Sequence, residues 1–401
     1  MSLNNTPASE RVHIGIFGNR NAGKSSIINA VTGQDLAIVS DVKGTTTDPV
    51  YKAMELLPLG PVVIIDTPGL DDDGALGAMR IKKAHQVLNK TDIAVLVVDA
   101  TKGIDKGERE LIERIERKNI PYVVVYNKTD LTESLPILKE NEIAVSAKTS
   151  HNINALKELL TRQLPEQEKQ SPLVSDLLTE GDMAVLVIPI DKSAPKGRLI
   201  LPQQQTIRDI LQADAVAVMT KETKLAHTLN SLGTKPKIVI TDSQIFPFVA
   251  SITPADILLT SFSILFARYK GSLADVVQGA RAVEKLKDGD KILISEGCSH
   301  HRQCEDIGTV KLPRWIADYT GKKPEMDFTS GTEFPDDLSR YRLVVHCGGC
   351  MLNEREMKYR LGCAKDQNVP MTNYGILIAY MNGILKRSVQ PFEEIYKLLE
   401  E

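Results

Sequence analysis

At 401 residues, the chain is longer than one ordinary domain and has room for two or three hydrophobic cores. Its 42% hydrophobic residues, 25% charged residues and net charge of −3 are typical of globular proteins and indicate no broad attraction for nucleic acid or anionic membranes. The start of the chain is polar, and no apolar run reaches the roughly 18 residues of a membrane span. We therefore expect a cytoplasmic protein without a signal peptide.

The first part of the chain alternates short β-branched segments with helical stretches, which is the pattern of parallel βαβ units. The predicted strands cover residues 12–17, 62–66, 94–99, 122–126 and 143–146. A polar, proline-containing segment at 164–172 reads as a linker. These features predict an α/β domain with a doubly wound, mostly parallel sheet over residues 1–168.

Two smaller α/β domains are predicted after the linker, over residues 173–265 and 270–401. Strands are expected at 183–190, 215–219, 237–240, 291–295 and 341–346, and helices at 204–211, 224–232, 274–286, 309–320 and from Asn353. We find no motif-level repeat, but the order of predicted strands and helices is compatible with a βα topology that both domains share. The apolar segment 257–266 fits a dimer surface and a buried core helix equally well.

The loop after the first strand fits the phosphate-binding pattern G-x-x-x-x-G-K-[ST], with the sequence Gly18-Asn19-Arg20-Asn21-Ala22-Gly23-Lys24-Ser25. Its glycines let backbone N–H groups point at phosphates at the start of a helix. Lys24 would contact the β- and γ-phosphates, and Ser25 would bind Mg²⁺. The predicted nucleotide-binding residues of this loop are Asn19, Asn21, Ala22, Gly23, Lys24, Ser25 and Ser26.

Three further motifs follow predicted strands in the order expected of a GTPase. They are Asp66-Thr67-Pro68-Gly69, Asn127-Lys128-Thr129-Asp130 and Ser146-Ala147-Lys148. Asp66 would hold Mg²⁺ through water, and Gly69 would contact the γ-phosphate. The Asp130 carboxylate would accept from guanine N1 and N2, which adenine cannot match. Together the motifs predict a P-loop GTPase that selects guanine.

The first 165 residues or so resemble the GTPases of the Era/TrmE class, whose switch I element matches Gly44-Thr45-Thr46-Thr47-Asp48. The resemblance implies that Thr46 binds Mg²⁺ and that Asn21 helps to place a K⁺ ion against the phosphates, so Lys24, Asn21 and Thr46 are the predicted catalytic residues. Leu70 stands where Ras-type GTPases carry a water-orienting glutamine. We therefore expect slow intrinsic hydrolysis of GTP to GDP, stimulated by K⁺.

All five cysteines lie after position 297, which in a reducing compartment favours a metal site over disulfides. Three of them form the pattern C-x-H followed much later by H-C-x-x-C, with Cys298, His300, His346, Cys347 and Cys350. Each half follows a predicted strand, so both loops are expected in one crevice. The ligand set fits a tetrahedral zinc ion or a [4Fe–4S] cluster equally well.

Over its whole length the chain resembles the [FeFe]-hydrogenase maturation GTPases, through its GTPase motifs, middle domain and cysteine pattern. The resemblance implies a [4Fe–4S] cluster on Cys298, Cys347 and Cys350, with His300, His346 and Glu354 as candidates for a fourth ligand or for hydrogen-bonding support. It also implies a dimerising middle domain.

The same resemblance implies a cargo and partners. The cargo is a two-iron precursor carrying CO and cyanide, received from radical-SAM maturases and delivered to apo-[FeFe]-hydrogenase. Two other functions remain open: a ribosome- or tRNA-biogenesis GTPase with a structural Cys₃His zinc module, and a redox enzyme that uses the cluster for electron transfer.

Overall fold

The computed structural model describes residues 6–33, 49–69, 84, 86–132, 134–164, 172–190, 199–297, 307–331 and 333–400. The chain forms two compact units, Met1–Lys169 and Gln170–Glu401. Among the helices in the described ranges, none is long and apolar enough to cross a membrane.

The first unit is built on a six-stranded sheet with the order β2-β3-β1-β4-β5-β6. Its strands are β1 (Val12–Phe17), β2 (Val50–Leu56), β3 (Gly60–Asp66), β4 (Ile93–Asp99), β5 (Tyr122–Asn127) and β6 (Glu142–Ala144). All neighbours pair in parallel except β2 and β3. The predicted mostly parallel α/β sheet is therefore confirmed. β2 was not predicted because only Leu56 of this edge strand is buried, which leaves no apolar pattern.

Helices cover both faces of this sheet, and each face has its own core. The described helices are α1 (Lys24–Thr32), α2 (Lys106–Arg117) and α3 (Ile153–Gln163). Ile16 and Val97 face the core that contains α1 and α3, whereas Phe17 and Leu96 face the core of α2. Because successive side chains of a strand point to opposite faces, strands covered on both sides are apolar throughout.

The second unit contains two four-stranded sheets in which all pairings are parallel. The first sheet has the order β10-β9-β7-β8 and the second has the order β12-β11-β13-β14. The strands are β7 (Met183–Val187), β8 (Val216–Thr220), β9 (Ile238–Thr241), β10 (Leu258–Ser261), β11 (Lys291–Glu296), β12 (Glu325–Ser330), β13 (Leu343–His346) and β14 (Met371–Asn373). Counted along the chain, both sheets have the order 2-1-3-4, so they share one βα plan.

The helices of this unit are α4 (Leu201–Gln212), α5 (Leu225–Ser231), α6 (Phe246–Ile252), α7 (Phe262–Lys270), α8 (Leu273–Ala280), α9 (Leu312–Thr320), α10 (Glu354–Asp366), α11 (Tyr374–Met381), α12 (Leu385–Ser388) and α13 (Glu393–Lys397). The segment 257–266 forms β10 and the start of α7, and most of its apolar side chains are buried in the core of the first sheet. Ile376 and Val389, from the end of the chain, pack into the same core. The two sheets are therefore joined by shared packing.

Candidate functional site

The loop between β1 and α1 lies at the carboxyl end of the first sheet, and two of its glycines are required by close contacts. A Cβ at Gly18 would lie 2.2 Å from the Val97 carbonyl oxygen, and one at Gly23 would lie 2.2 Å from Asn127 Nδ2. Both glycines also have positive φ, at 137° and 95°. The Asn127-Lys128-Thr129-Asp130 motif therefore packs directly against the phosphate-binding loop.

Lys24 begins α1 and its ammonium lies over the loop. Its Nζ donates to the carbonyl oxygens of Gly18 and Asn19, at 2.8 Å each. Asp66 ends β3 beside this loop, and burial raises the pKa of its carboxyl against the opposing effect of Lys24 and Lys52. Burial disfavours the ionised form of Asp66, and a divalent cation bound nearby would stabilise that ionised form. This environment therefore suits the predicted Mg²⁺ site.

The motifs predicted to hold the base are joined by hydrogen bonds between their own members. Asn127 Nδ2 donates to the Ala22 carbonyl at 3.0 Å, and Asn127 Oδ1 accepts from the Ala147 backbone N–H at 3.1 Å. Asp130 Oδ1 accepts from Ser146 Oγ at 2.7 Å. Asp130 and Lys148 are exposed, so the base-facing side of this cluster is open.

Two carboxylates that the motifs did not indicate support this edge. Asp99, the last residue of β4, pairs with Lys128 at 2.6 Å. Burial alone would raise the pKa of Asp99, but hydrogen bonds from Lys128 and Thr101 outweigh it and lower the pKa. Asp105 accepts from Asn19 Nδ2 at 2.6 Å and also caps α2. Asp99 could have been predicted as a site residue from the sequence, because it is the last residue of a long apolar strand.

The remaining predicted residues of this site differ in how far they can be placed. Ser25 and Ser26 lie in the first turn of α1, and Gly69 follows β3, all partly buried. Thr46 and Leu70 lie outside the described residues.

The second predicted site lies between β11 and β13, the neighbouring parallel strands at which the strand order of their sheet reverses. Such crevices at the carboxyl ends of strands are the usual ligand sites of open α/β sheets. The Cys347 N–H donates to Ser295 of β11 at 3.0 Å, and Cys347 Sγ accepts from the backbone N–H groups of Gly297 at 3.0 Å and Gly349 at 3.4 Å. Neither Cys347 nor Cys350 is joined in a disulfide.

Cys347 and Cys350 are the two predicted cluster ligands that lie within the described residues. Cys298 and His300 lie outside the described residues. Within the described ranges, no three His, Cys, Asp or Glu side chains cluster in a way that could hold a metal ion. Burial raises the pKa of the Cys350 thiol, opposed by the nearby Lys270 ammonium. Two of the three predicted thiols therefore share one loop, and their grouping with Cys298 stays a prediction.

His346 ends β13 and is completely buried. Its Nε2 lies 3.0 Å from Arg360 Nη1, and its Nδ1 lies 2.7 Å from the Cys347 carbonyl oxygen. Because a guanidinium only donates, Nε2 accepts and Nδ1–H donates to Cys347. Burial, aided by the Arg360 charge, lowers the pKa of His346 to about 3. Both ring nitrogens are thus engaged within the protein.

Arg360 lies in α10 and is fully buried beneath the cysteine loop. Besides His346, it donates to Glu356 Oε1 at 2.9 Å, to Ser295 Oγ at 3.2 Å and to the Gly331 carbonyl at 2.8 Å. These partners come from α10 and from the carboxyl ends of β11, β12 and β13. Glu356 and Arg360 stand one helical turn apart just after H-C-x-x-C, and this spacing was the signal that could have indicated them.

Glu354, the predicted alternative ligand, is the first residue of α10 and forms a 2.6 Å ion pair with Lys358. Its side chain is partly exposed. The preceding residue, Asn353, caps the helix by accepting from the Glu356 N–H at 3.1 Å.

Comparison with known proteins assigns each part of the chain to a family model. Residues 13–128 match a model described as 50S ribosome-binding GTPase. Residues 173–271 match the hydrogen maturase F dimerization domain, and residues 274–391 match the hydrogen maturase F tetramerization domain. The two maturase domains together span more than half of the chain.

Curated relatives match part of this chain. The tRNA modification GTPases MnmE of Chromobacterium violaceum and Dechloromonas aromatica are 35% and 33% identical over 160 and 156 residues, or 39% and 38% of this chain. The chain spans 35% and 34% of the length of these relatives.

Two solved structures align with parts of this chain at low TM-scores. Era of Aquifex aeolicus bound to GDP and aluminium fluoride is 20% identical, with a TM-score of 0.36 over 55% of this chain and 98% of that chain. The elongation factor SelB of Methanococcus maripaludis with a GTP analogue is 21% identical, with a TM-score of 0.32 over 47% of this chain and 40% of that chain.

The order of the motifs, the six-stranded sheet and the family model agree that the first unit is a GTPase domain, with GTP or GDP and Mg²⁺ as its ligands. The second unit carries the two domains that define a single family of maturation proteins. The chain therefore belongs to the hydrogen maturase F (HydF) family and hydrolyses GTP.

Proposed function

We propose that this chain is a GTP-controlled scaffold that holds a [4Fe–4S] cluster, receives a two-iron precursor from radical-SAM maturases and delivers it to apo-[FeFe]-hydrogenase. The observation that carries the proposal is the position of Cys347 in a chain of the HydF family. Its sulfur accepts two backbone N–H groups at the crevice between β11 and β13.

In the GTPase domain, we assign the roles of Lys24, Ser25 and Asn21 by their places at the carboxyl edge of the sheet, and the role of Thr46 by its sequence motif alone. Lys24 would neutralise the β- and γ-phosphates, and Ser25 and Thr46 would bind Mg²⁺. Asn21, exposed and with a φ of 59°, would help to place K⁺ against the phosphates. Hydrolysis measured in KCl and in NaCl tests this role, and equal rates would contradict it.

Guanine selection is assigned to Asp130. Its carboxylate is exposed beside Ser146, while Asn127 and Ala147 tie the two base motifs to the phosphate loop. The Asp130→Asn variant should weaken GTP binding by roughly 100-fold, since each hydrogen bond to a charged group contributes ~1.5–3 kcal/mol. It should bind xanthosine nucleotides instead, and an unchanged preference for GTP would remove the assignment.

The described residues fit an iron–sulfur cluster in the chemistry of their donors. Backbone N–H groups directed at sulfur stabilise thiolates, and Cys347 has two of them. Gly297 leaves room for this arrangement, because a Cβ there would lie 2.8 Å from the Leu352 side chain. Cys298, Cys347 and Cys350 would hold the cluster, which would supply one iron without a cysteine ligand as a binding position for an exchangeable ligand.

Two histidines and one carboxylate were candidates for that position. The hydrogen bonds of His346 favour a supporting role, in which its Nδ1–H fixes the Cys347 carbonyl while Arg360 fixes the ring. His300 stays a candidate for an iron ligand, whereas the ion pair of Glu354 with Lys358 favours a helix-terminal carboxylate that faces solvent.

Anaerobic loading of the full chain with iron and sulfide tests the cluster. The wild-type chain should gain the broad visible absorption of a [4Fe–4S] protein and, after reduction, an EPR signal. The Cys347→Ser variant should lose most of its iron, whereas the matched variant Cys363→Ser, outside the motif, should retain it. A colourless chain that binds zinc would contradict the proposal and would favour an RNA-related GTPase with a zinc module.

The cargo and the assembly state are separate parts of the proposal. The family's dimerization and tetramerization domains support a homodimer or a larger assembly of this chain. Light scattering of the full chain measures its size, and a monomer at all concentrations would contradict this part. Activation of apo-hydrogenase by the loaded chain tests delivery, with the Cys347→Ser chain as the inactive control.

A further inference from the structure

One helix of the middle domain contacts the cysteine loop at both of its ends. At the start of α7, the Ser263 side chain packs against Gly348, where a Cβ would meet it at 3.9 Å. At the end of α7, Lys270 Nζ donates to the carbonyl oxygens of Cys350 at 3.0 Å and Leu352 at 2.7 Å, and lies 3.5 Å from that of Gly349. The loop that carries Cys347 and Cys350 is therefore held by a helix outside its own sheet.

Lys270 is an unusual residue for this place. It is only 3% exposed, and its Nζ lies 5.5 Å from the centre of the Phe266 ring. Burying an ammonium costs several kcal/mol unless oxygen acceptors replace its water shell. Here the acceptors are backbone carbonyl oxygens of one short loop, Gly349–Leu352. The position of this loop therefore depends on the position of the Lys270 ammonium.

The contacts of Leu352 extend this hold to the other half of the cysteine motif. The Leu352 N–H donates to the Gly349 carbonyl at 3.0 Å, which closes the turn that Lys270 holds from outside. The Leu352 side chain packs against Gly297, the residue before Cys298. The Gly297 N–H in turn donates to Cys347 Sγ at 3.0 Å. Displacement of Leu352 would therefore disturb both Gly297 and the loop that carries Cys347 and Cys350.

We propose that Lys270 is a positioning residue for the cluster: it fixes the Gly349–Leu352 turn through its hydrogen bonds and places a buried positive charge against the loop that carries Cys347 and Cys350. The proposal rests on the proposed cluster function. Lys270 is the last residue of α7 and lies in the dimerization domain, outside the cysteine motif. The proposal therefore gives a residue of another domain a role in metal binding. Through α7, the middle domain also gains a direct contact with the cluster loop.

The test compares full-length chains loaded anaerobically with iron and sulfide. The Lys270→Met variant keeps the length of the side chain but removes its charge and donors. It should lose iron to a chelator at least roughly 10-fold faster than the wild type, as for other supporting residues of metal sites. Its cluster should also have a more negative reduction potential, because a nearby cation favours the reduced, more negative state. Lys270→Arg, which keeps the charge and donors, should restore the potential.

The controls separate this role from general stability and from the cluster assignment itself. Lys365→Met removes an exposed lysine from α10 and should change neither iron retention nor potential. Equal retention and potential in Lys270→Met and wild type would overturn the role of Lys270 while leaving the cluster assignment intact. If the wild type binds no iron, the proposed cluster function fails instead. If the Met variant does not fold, Lys270→Gln, which keeps an N–H donor without charge, carries the same comparison.

Discussion

The nucleotide site and the cysteine site both lie at the carboxyl ends of parallel strands, yet they are supported in different ways. We call them the nucleotide edge (the loops after β1, β3, β5 and β6) and the cysteine edge (the loops after β11 and β13). At the nucleotide edge, motif residues bind one another: Asn127 bonds to Ala22 and Ala147, and Asp130 bonds to Ser146. At the cysteine edge, the supports come from residues outside the motif, above all Arg360 and Lys270. A motif can thus specify most of one site and only the metal-facing part of another.

This difference has a physical origin. A nucleotide brings its own charge and many hydrogen-bonding groups, so loops at exposed strand ends can bind it with short-range contacts. Thiolates that share a cluster must be held close together in a place with little water. Such a place needs buried polar groups behind it, and buried charges are stable only when their partners are supplied by the fold.

The largest expected effect concerns Arg360. The Arg360→Met variant leaves the Glu356 carboxylate buried without its cation, which should destabilise the cysteine edge by ~3–5 kcal/mol. Glu356 is 3% exposed, and its Oε2 atom has no hydrogen-bond partner within the described part of the chain. Hydrogen exchange of the β13 and α10 amides measures the local loss. The double variant Glu356→Gln/Arg360→Met should recover much of it, because no unpaired charge remains.

The matched control for that experiment is Arg314→Met on α9, an arginine whose side chain is 82% exposed. It should change the same exchange rates by less than ~0.5 kcal/mol, as exposed ion pairs contribute little. Equal effects of the two arginine variants would mean that the cysteine edge does not depend on buried support, and the contrast between the two sites would disappear.

The second prediction concerns Lys24. Removing its ammonium in Lys24→Ala should lower kcat for GTP hydrolysis by roughly 10²–10³-fold, the usual loss when one group that stabilises transition-state charge is removed. Phosphate release under saturating GTP measures the effect. Lys106→Ala, at an almost fully exposed lysine of α2, is the control and should hydrolyse GTP at the wild-type rate. A similar rate for Lys24→Ala would show that this edge is not organised around the phosphate loop.

The third prediction is a dependence of stability on pH at the cysteine edge. His346 has a pKa of about 3 in the folded chain, against an ordinary value of 6.5. Above pH 6.5 both states hold neutral imidazole; as the pH falls towards 3, only the unfolded chain takes up the proton. The metal-free chain should therefore lose up to ~1.4 kcal/mol per pH unit in this window.

Urea unfolding of the metal-free chain between pH 7 and pH 5, followed by a probe in the second unit, measures this loss. His346→Gln, which cannot titrate, should show a shallower dependence than the wild type. The same slope in both chains would assign the effect to other groups.

The sequence predicted the mostly parallel first sheet because the apolar runs of β1, β3, β4 and β5 are unambiguous. It missed β2 and β12, edge strands that bury few side chains, and also β10 and β14, which are buried but only four and three residues long and so too short to show a strand pattern. The motif residues of the nucleotide edge were indicated by spacing alone. Lys270 could not be indicated, because a lysine at the end of a helix normally points into water, and only the fold brings the cysteine loop over it.

The smallest expected effect concerns Glu354, which marks where the cysteine motif ends and its support begins. Its ion pair with Lys358 is partly exposed and spans one helical turn, so Glu354→Gln should change stability by less than ~0.5 kcal/mol. As a helix-terminal carboxylate, it should leave the iron content and the EPR signal of the loaded chain unchanged. A shifted EPR signal with unchanged folding would make Glu354 an iron ligand. At the cysteine edge, a residue outside the cysteine motif would then bind the metal itself. The contrast with the nucleotide edge, where motif residues contact one another, would become larger.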